Sequence, residues 1–264
     1  MTDKTQTATD LVLVTRDENI AIVTLNVPDR RNAYSMELRK ELLAKLTGLM
    51  EDDPCGALVL TGAGGNFCAG GDIGQMKRRN LMMKRQHMEY SQQVVRLLVN
   101  GPKAVVAAVE GYAYGVGLSL VAACSYVVAD PGAKFCSAFI RMGVMPDGGL
   151  LWTLPRKVSP GKAEELMLLG TDFKAGDAQQ WGLVNTIAES GKTLATAVEM
   201  AKQFAAKPPV AIAMIKAALG NGSTTLEGAF QSETSGQPVL TQTADNAEAV
   251  AAFKEKRKPV FKGE

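Results

Sequence analysis

Three stretches of this 264-residue chain carry residue types from which chemistry could be built. Two are glycine-rich corners: Asn66-Phe67-Cys68-Ala69-Gly70-Gly71-Asp72-Ile73 and Glu110-Gly111-Tyr112-Ala113-Tyr114-Gly115-Val116-Gly117-Leu118-Ser119-Leu120. Each follows an apolar β-type run and precedes a helical pattern. Small residues at such a corner let main-chain N–H groups face an open pocket. Two such corners side by side would stabilise a carbonyl oxygen as it gains negative charge. The third stretch is Met142-Gly143-Val144-Met145-Pro146-Asp147-Gly148-Gly149, with one carboxylate between a φ-fixing proline and two glycines. Asp147 has two readings. It could cap a helix over Leu150–Leu154. It could also sit desolvated beside Val144, Met145 and Leu150, with a raised pKa, and exchange protons with a substrate.

Other chemistries find less support. Gly62-Ala63-Gly64-Gly65 begins like a dinucleotide fingerprint, but the third glycine would fall at Phe67. Gly115-Val116-Gly117 fails in the same way at Leu120. No Walker lysine, HExxH or GxSxG motif is present. The single histidine, His87, lies in the charged stretch Lys84–Glu89 and reads as a solvated helix-face residue. That removes a Ser–His–Asp triad and a histidine metal site. Cys55, Cys68, Cys124 and Cys136 form no CxxC pair and read as reduced thiols of a cytoplasmic protein. With 46% hydrophobic residues, 21% charged and a net charge of +2, no nucleic-acid partner is expected. No apolar run approaches the ~20 residues that span a bilayer, so no membrane partner is expected either. Met1 to Asp10 is polar, lacks a signal-peptide core and reads as a frayed tail.

The elements that must position these groups follow from periodicity. Leu11–Val14 and Ile20–Leu25 read as a hairpin around Arg16–Asn19. Ser35 is placed to cap a helix carrying Leu38, Leu42, Leu46 and Leu49 on one face. Ala57–Leu60, Ala104–Val109 and Tyr126–Ala129 read as buried strands, and a helical stretch ends over Val94–Val99. Gly117 to Cys124 is apolar all round and predicts a buried helix. Beyond Gly148 the pattern turns helical, over Gly161–Leu169, Ala175–Trp181, Lys192–Ala205, Val210–Leu219 and the Thr225–Ala251 region. The Gly220-Asn221-Gly222-Ser223 stretch reads as a linker or hinge. Strands alternating with helices, then helices alone, predict an α/β fold with a helical C-terminal third.

Taken with Arg31-Asn32-Ala33 and the closing segment Phe253 to Phe261, the three motifs resemble the crotonase, or enoyl-CoA hydratase/isomerase, family. The resemblance runs from Leu11 to about Lys262, nearly the whole chain. It implies a ββα spiral core over residues 1–205 and a helical C-terminal oligomerisation region over 206–264. It implies homotrimers or dimers of trimers acting on acyl-CoA thioesters. Coenzyme A would arrive as part of the substrate, with no metal and no other cofactor. The motif match places the oxyanion-hole N–H groups at Ala69 and Val116. It places the acyl-CoA site around Arg31, Ala33, Gly71, Asp72 and Ile73 on one side, and Gly115, Ser119 and Phe139 on the other.

This sequence also departs from the family pattern. Hydratases of the family use two glutamates, which would fall at Ser119 and Phe139. Neither is a carboxylate, so the two-glutamate route to adding water is lost. Asp147 remains, in a Pro-Asp-Gly-Gly setting similar to members that move an enoyl-CoA double bond with one aspartate. The implied activity is therefore an enoyl-CoA isomerase. Three alternatives stay open. One is a hydratase of unusual or low activity. Another is dehalogenase-like attack by Asp147 on an aromatic acyl-CoA, for which His87 falls early in the sequence. The third is a silent acyl-CoA-binding member. Arg31, Lys77 and the Lys254–Lys262 cluster are candidates for the coenzyme A phosphates, or are ordinary surface charge.

Overall fold

The computed structural model describes residues 10–72, 74, 81–221 and 225–264. Residues 1–9, Ile73, Lys77, Gly222 and Ser223 lie outside the described residues. In chain order the elements begin with β1 (Val12–Asp17), β2 (Ile20–Leu25), α1 (Met36–Glu51), β3 (Ala57–Gly62) and α2 (Leu81–Asn100). Then come β4 (Ala104–Val109), β5 (Tyr112–Tyr114), α3 (Val116–Ala123), β6 (Tyr126–Ala129) and β7 (Lys134–Cys136). They continue with α4 (Leu150–Thr153), α5 (Pro160–Leu169), β8 (Asp172–Lys174), α6 (Ala175–Gln180) and β9 (Thr186–Ile187). The helices α7 (Thr193–Ala205), α8 (Pro209–Gly220), α9 (Leu226–Leu240) and α10 (Ala244–Glu255) close the chain.

Six strands form one sheet in the order β1-β2-β3-β4-β6-β9, parallel except for the β1–β2 hairpin. All six residues of β4 are buried, as expected of a parallel strand covered on both faces. Val105, Ala107 and Val109 face the larger core with Leu58 and Leu60; α1, α2 and α3 contribute Leu42, Leu98 and Leu118 to it. Val106 and Ala108 face the opposite layer, where α7 supplies Ala197, Val198 and Ala201. A second sheet, β5-β7-β8, stands apart from the first. It escaped sequence reading because three-residue strands are too short to show a period.

Most boundaries move by a residue or two from expectation. The hairpin strand β1 runs to Asp17, so the turn narrows to Glu18-Asn19. Ser35 caps α1 as expected, its Oγ accepting the Leu38 N–H at 3.2 Å. The Thr225–Ala251 region splits at 241–243, where Thr243 accepts the Asn246 N–H and starts α10. Gly220 belongs to α8 rather than to a linker, with Asn221 following as its cap. The core and the final helices differ in burial. α8 has no buried residue, and Ile215 and Leu219 stand 56% and 69% exposed.

Candidate active site

The two glycine corners are brought side by side by main-chain pairing. Cys68 donates to Tyr112 O at 2.8 Å and accepts the Tyr114 N–H at 2.9 Å, so the first corner runs along β5 into the second. Gly117 lets the first turn of α3 close on that pairing, because a Cβ there would lie 2.4 Å from the Cys68 oxygen. Gly70, at φ +107, also passes near Tyr114 O, which a Cβ there would approach to 3.2 Å. Asn32 clamps the approach to the first corner. It is fully buried, donates to Ala63 O and Asn66 O at 2.9 and 2.6 Å, and accepts the Val27 N–H at 2.8 Å.

The geometry corrects one expected donor. The Ala69 N–H donates to Arg31 O at 3.0 Å and so is already engaged. The neighbouring Gly71 is oriented differently. Gly70 O accepts the Tyr34 N–H at 2.8 Å. In the same trans peptide, the Gly71 N–H must point the opposite way. Among the described residues it has no acceptor, and Gly71 lines the cleft. Val116 is the first residue of α3, whose opening N–H groups have no partner within the helix. Gly115 makes that turn at φ +51, its own N–H going to Cys136 O at 2.9 Å.

Both corners open onto a cleft of about 790 Å³, shared with Tyr34, Arg39, Phe139 and Asp147. Met142, Val144 and Met145 give it exposed apolar surface beside the charged Lys84, Arg85 and Arg141. Asp147 does not cap α4. Gly149 takes that place at φ +74 and no side chain accepts there. Instead the Asp147 main chain is held by Ser119, whose Oγ donates to Asp147 O at 2.8 Å. Gly148 permits this approach, since a Cβ there would sit 2.9 Å from the Ser119 Cβ. Asp147 Oδ1 is buried without a hydrogen-bond partner, while the residue as a whole is half-buried. Asp147 is part of the cleft lining. An unpaired buried acceptor of this kind costs ~1–3 kcal/mol. Burial raises the Asp147 pKa, and the nearby Arg39 guanidinium opposes that rise.

The other expected site residues divide into those at the cleft and those away from it. Gly115, Phe139 and Asp72 line it. Asp72, however, is paired to Arg30 at 2.6 Å and also accepts the Gly74 N–H. Ser119 is fully buried behind Asp147. Arg31 and Ala33 are not in the cleft wall. Arg31 acts there through its main chain, and its guanidinium lies over the Tyr112 ring at 5.3 Å. Ile73 and Lys77 lie outside the described residues. In the basic C-terminal segment, Arg257 is committed to Glu248 and Glu255. His87 is half-buried in the cleft wall rather than on a solvated face.

Sequence reading missed Tyr34 and Arg39. The available signal was their spacing: Tyr34 directly follows Arg-Asn-Ala, and Arg39 falls one turn after the cap Ser35. Cys68, beside the first corner, is no nucleophile, because burial pushes its thiol up to about 12. Among the described residues no three His, Cys, Asp or Glu side chains gather to hold a metal ion, and no helix is long and apolar enough to cross a membrane.

Comparison with known proteins bears on the family and the fold. Residues 15–264 match the model of the family described as enoyl-CoA hydratase/isomerase. The chain is 33% identical to the 1,2-epoxyphenylacetyl-CoA isomerase of Escherichia coli over 96% of its length and 99% of that protein's. It is 34% identical to the short-chain-enoyl-CoA hydratase of Clostridium acetobutylicum, covering 94% and 95% of the two chains. The crystal structure of an enoyl-CoA hydratase from Polaromonas sp. JS666 superposes with a TM-score of 0.90 at 33% identity, covering 95% of this chain and 99% of that one.

Proposed function

The chain belongs to the enoyl-CoA hydratase/isomerase family, and from that premise we propose that it is an enoyl-CoA isomerase in which Asp147 moves a single proton. In this reading the thioester carbonyl lies between the N–H groups of Gly71 and Val116. The Asp147 carboxylate takes a proton from C2 of a 3-enoyl-CoA. The electron pair of that C–H bond spreads through the conjugated system to the thioester oxygen, where the two N–H groups stabilise it. The proton held on Asp147 returns at C4, leaving the 2-enoyl thioester. One carboxyl suffices because it gives back what it took.

The observation that carries the reading is Asp147 itself, a cleft-facing carboxyl whose burial raises its pKa toward working pH. Asp72, the other cleft carboxylate, is tied to Arg30. At the two positions where the family's hydratases carry glutamates, Ser119 is turned to the Asp147 main chain and Phe139 is apolar. The relative in E. coli carries an isomerase name, and that in C. acetobutylicum a hydratase name.

The test is incubation with 3-enoyl-, 2-enoyl- and aromatic acyl-CoA thioesters, followed by the ultraviolet absorbance of the conjugated thioester. Absorbance should rise with the 3-enoyl substrate. Hydration of the 2-enoyl substrate with no action on the 3-enoyl would replace isomerase by hydratase. Turnover of none, with tight coenzyme A binding, would leave a silent binder. We further propose that α8 packs against other copies in a homotrimer or a dimer of trimers, motivated by its lack of buried residues. Sedimentation showing a stable monomer at micromolar concentration would contradict that assembly.

A further inference from the structure

Arg39 has a place in the cleft that neither the family motifs nor the expected site residues account for. It lies on α1, one turn in from the cap, and its guanidinium spans two elements. Nη2 donates to Tyr34 O at 3.0 Å, and Nε to Ser35 O at 3.3 Å. Nη1 donates across to α2, to His87 O at 3.0 Å and Ser91 Oγ at 3.1 Å. The same group lies over the Tyr34 ring, 4.8 Å from its centre. Four hydrogen bonds and a ring contact fix its plane, and a planar fork of donors makes that possible. It lines the cleft together with Asp147.

Several other titratable groups line the same cleft. Tyr34 is fully buried, its hydroxyl has no partner of normal geometry, and burial holds its pKa well above the ordinary phenol value. The negative charge of Asp147, which lines the same cleft, adds to that rise. Cys68 is likewise a neutral thiol. Lys84, Arg85 and His87 on α2, and Arg141 and Asp72 on the facing loops, share the cleft wall. The Arg39 guanidinium favours the ionised form of the carboxyl and so works against the burial that disfavours it.

We propose that Arg39 is the positioning residue of the proton shuttle. Its pinned guanidinium holds one fixed positive charge in the cleft that Asp147 also lines, so the carboxylate can form there despite its burial. The inference rests on the reading of Asp147 as the group that exchanges protons. It explains how a single buried carboxyl can be both emptied and filled during one turnover. Burial raises the carboxyl pKa and so opposes formation of the base; a mobile or fully solvated cation would be screened.

The test separates this inference from the reading beneath it. Protein labelled with 13C at the aspartate carboxyls is titrated by NMR, with the Asp147 signal assigned by its loss in Asp147→Asn. Removing a facing positive charge must raise a carboxyl pKa. Arg39→Gln should therefore titrate at least about one pH unit higher than wild type, the lower range for a neighbouring opposite charge. Arg39→Lys keeps the charge without the fork and should rise by less. With 3-enoyl-CoA, the acidic limb of kcat/KM should move up by the same amount, and activity should recover above it. A merely structural role for Arg39 would not move that limb. A wild-type titration in whichever variant folds overturns the proposal. The titration needs no substrate, so a shifted carboxyl in an enzyme that never turns over 3-enoyl-CoA would sink the isomerase reading and leave the Arg39–Asp147 pair standing.

Discussion

The two walls of the cleft are built from different materials. One wall is main chain: the corner N–H groups of Gly71 and Val116, locked by the Cys68–Ala113 pairing, the Asn32 clamp and the close approach of Gly117. The other wall is one side chain, Asp147, on a turn whose neighbours Val144 and Met145 stand 46% and 68% exposed. The first wall is over-determined by several independent contacts and takes little from side-chain identity. The second depends on one carboxyl, one hydroxyl behind it and one guanidinium near it. Substitutions should therefore act in opposite ways on the two walls. On the main-chain wall most side-chain changes are tolerated and loss of the N–H is not. On the side-chain wall, changing a single atom should be enough.

The largest effect is expected at Asp147. Asp147→Asn keeps size and hydrogen bonding but cannot accept a proton. Turnover of 3-enoyl-CoA at saturating substrate should fall by at least ~10²-fold, the lower range for general acid–base catalysis. Folding and acyl-CoA affinity, read by circular dichroism and calorimetry, should stay near wild type. A capping role would have predicted no change, since asparagine caps as well as aspartate, but Gly149 occupies the cap. Equal turnover in the two proteins would break the comparison by showing that the second wall holds no proton acceptor.

The main-chain wall is tested at Val116 by a pair of substitutions. Val116→Gly keeps the N–H and should retain activity, widening the range of accepted acyl groups because the side chain narrows the pocket. Val116→Pro removes the donor at a helix position that otherwise tolerates proline. Its turnover should drop by ~10²–10³-fold, the cost of one oxyanion donor. If the glycine variant loses as much as the proline variant, the valine side chain matters and the wall is not a main-chain device.

The same contrast explains what was legible in the sequence. The α/β order, the buried strands and the capped α1 follow from period and end signals, because those are local. The three glycine-bearing stretches were visible for the same reason. What could not be read was direction. Ala69 and Gly71 sit two residues apart in one corner. Which N–H is left over depends on where Arg31 O and the Tyr34 N–H dock, both from a segment more than thirty residues away. Tyr34 and Arg39 were missed on similar grounds: a tyrosine after a turn and an arginine on a helix face carry no motif. His87 looked solvated among charged neighbours until the packing of α2 over the cleft gave it a wall to join.

The smallest effect is expected behind the side-chain wall, at Ser119. Its hydroxyl reaches the Asp147 main-chain oxygen at 2.8 Å and not the carboxyl, so it places the turn without touching the proton. Ser119→Ala deletes one buried donor and leaves that oxygen unpaired. An acceptor left unpaired costs ~1–3 kcal/mol, and this one is only part-buried, so the low end applies and kcat should fall about fivefold, with KM almost unchanged. That outcome would keep Ser119 in a supporting role and sharpen the contrast with Asp147. A loss as large as that of Asp147→Asn would instead put the hydroxyl among the reacting groups. The hydratase reading would then regain ground, because a serine that holds an attacking water is the one way this cleft could still add water without its glutamates.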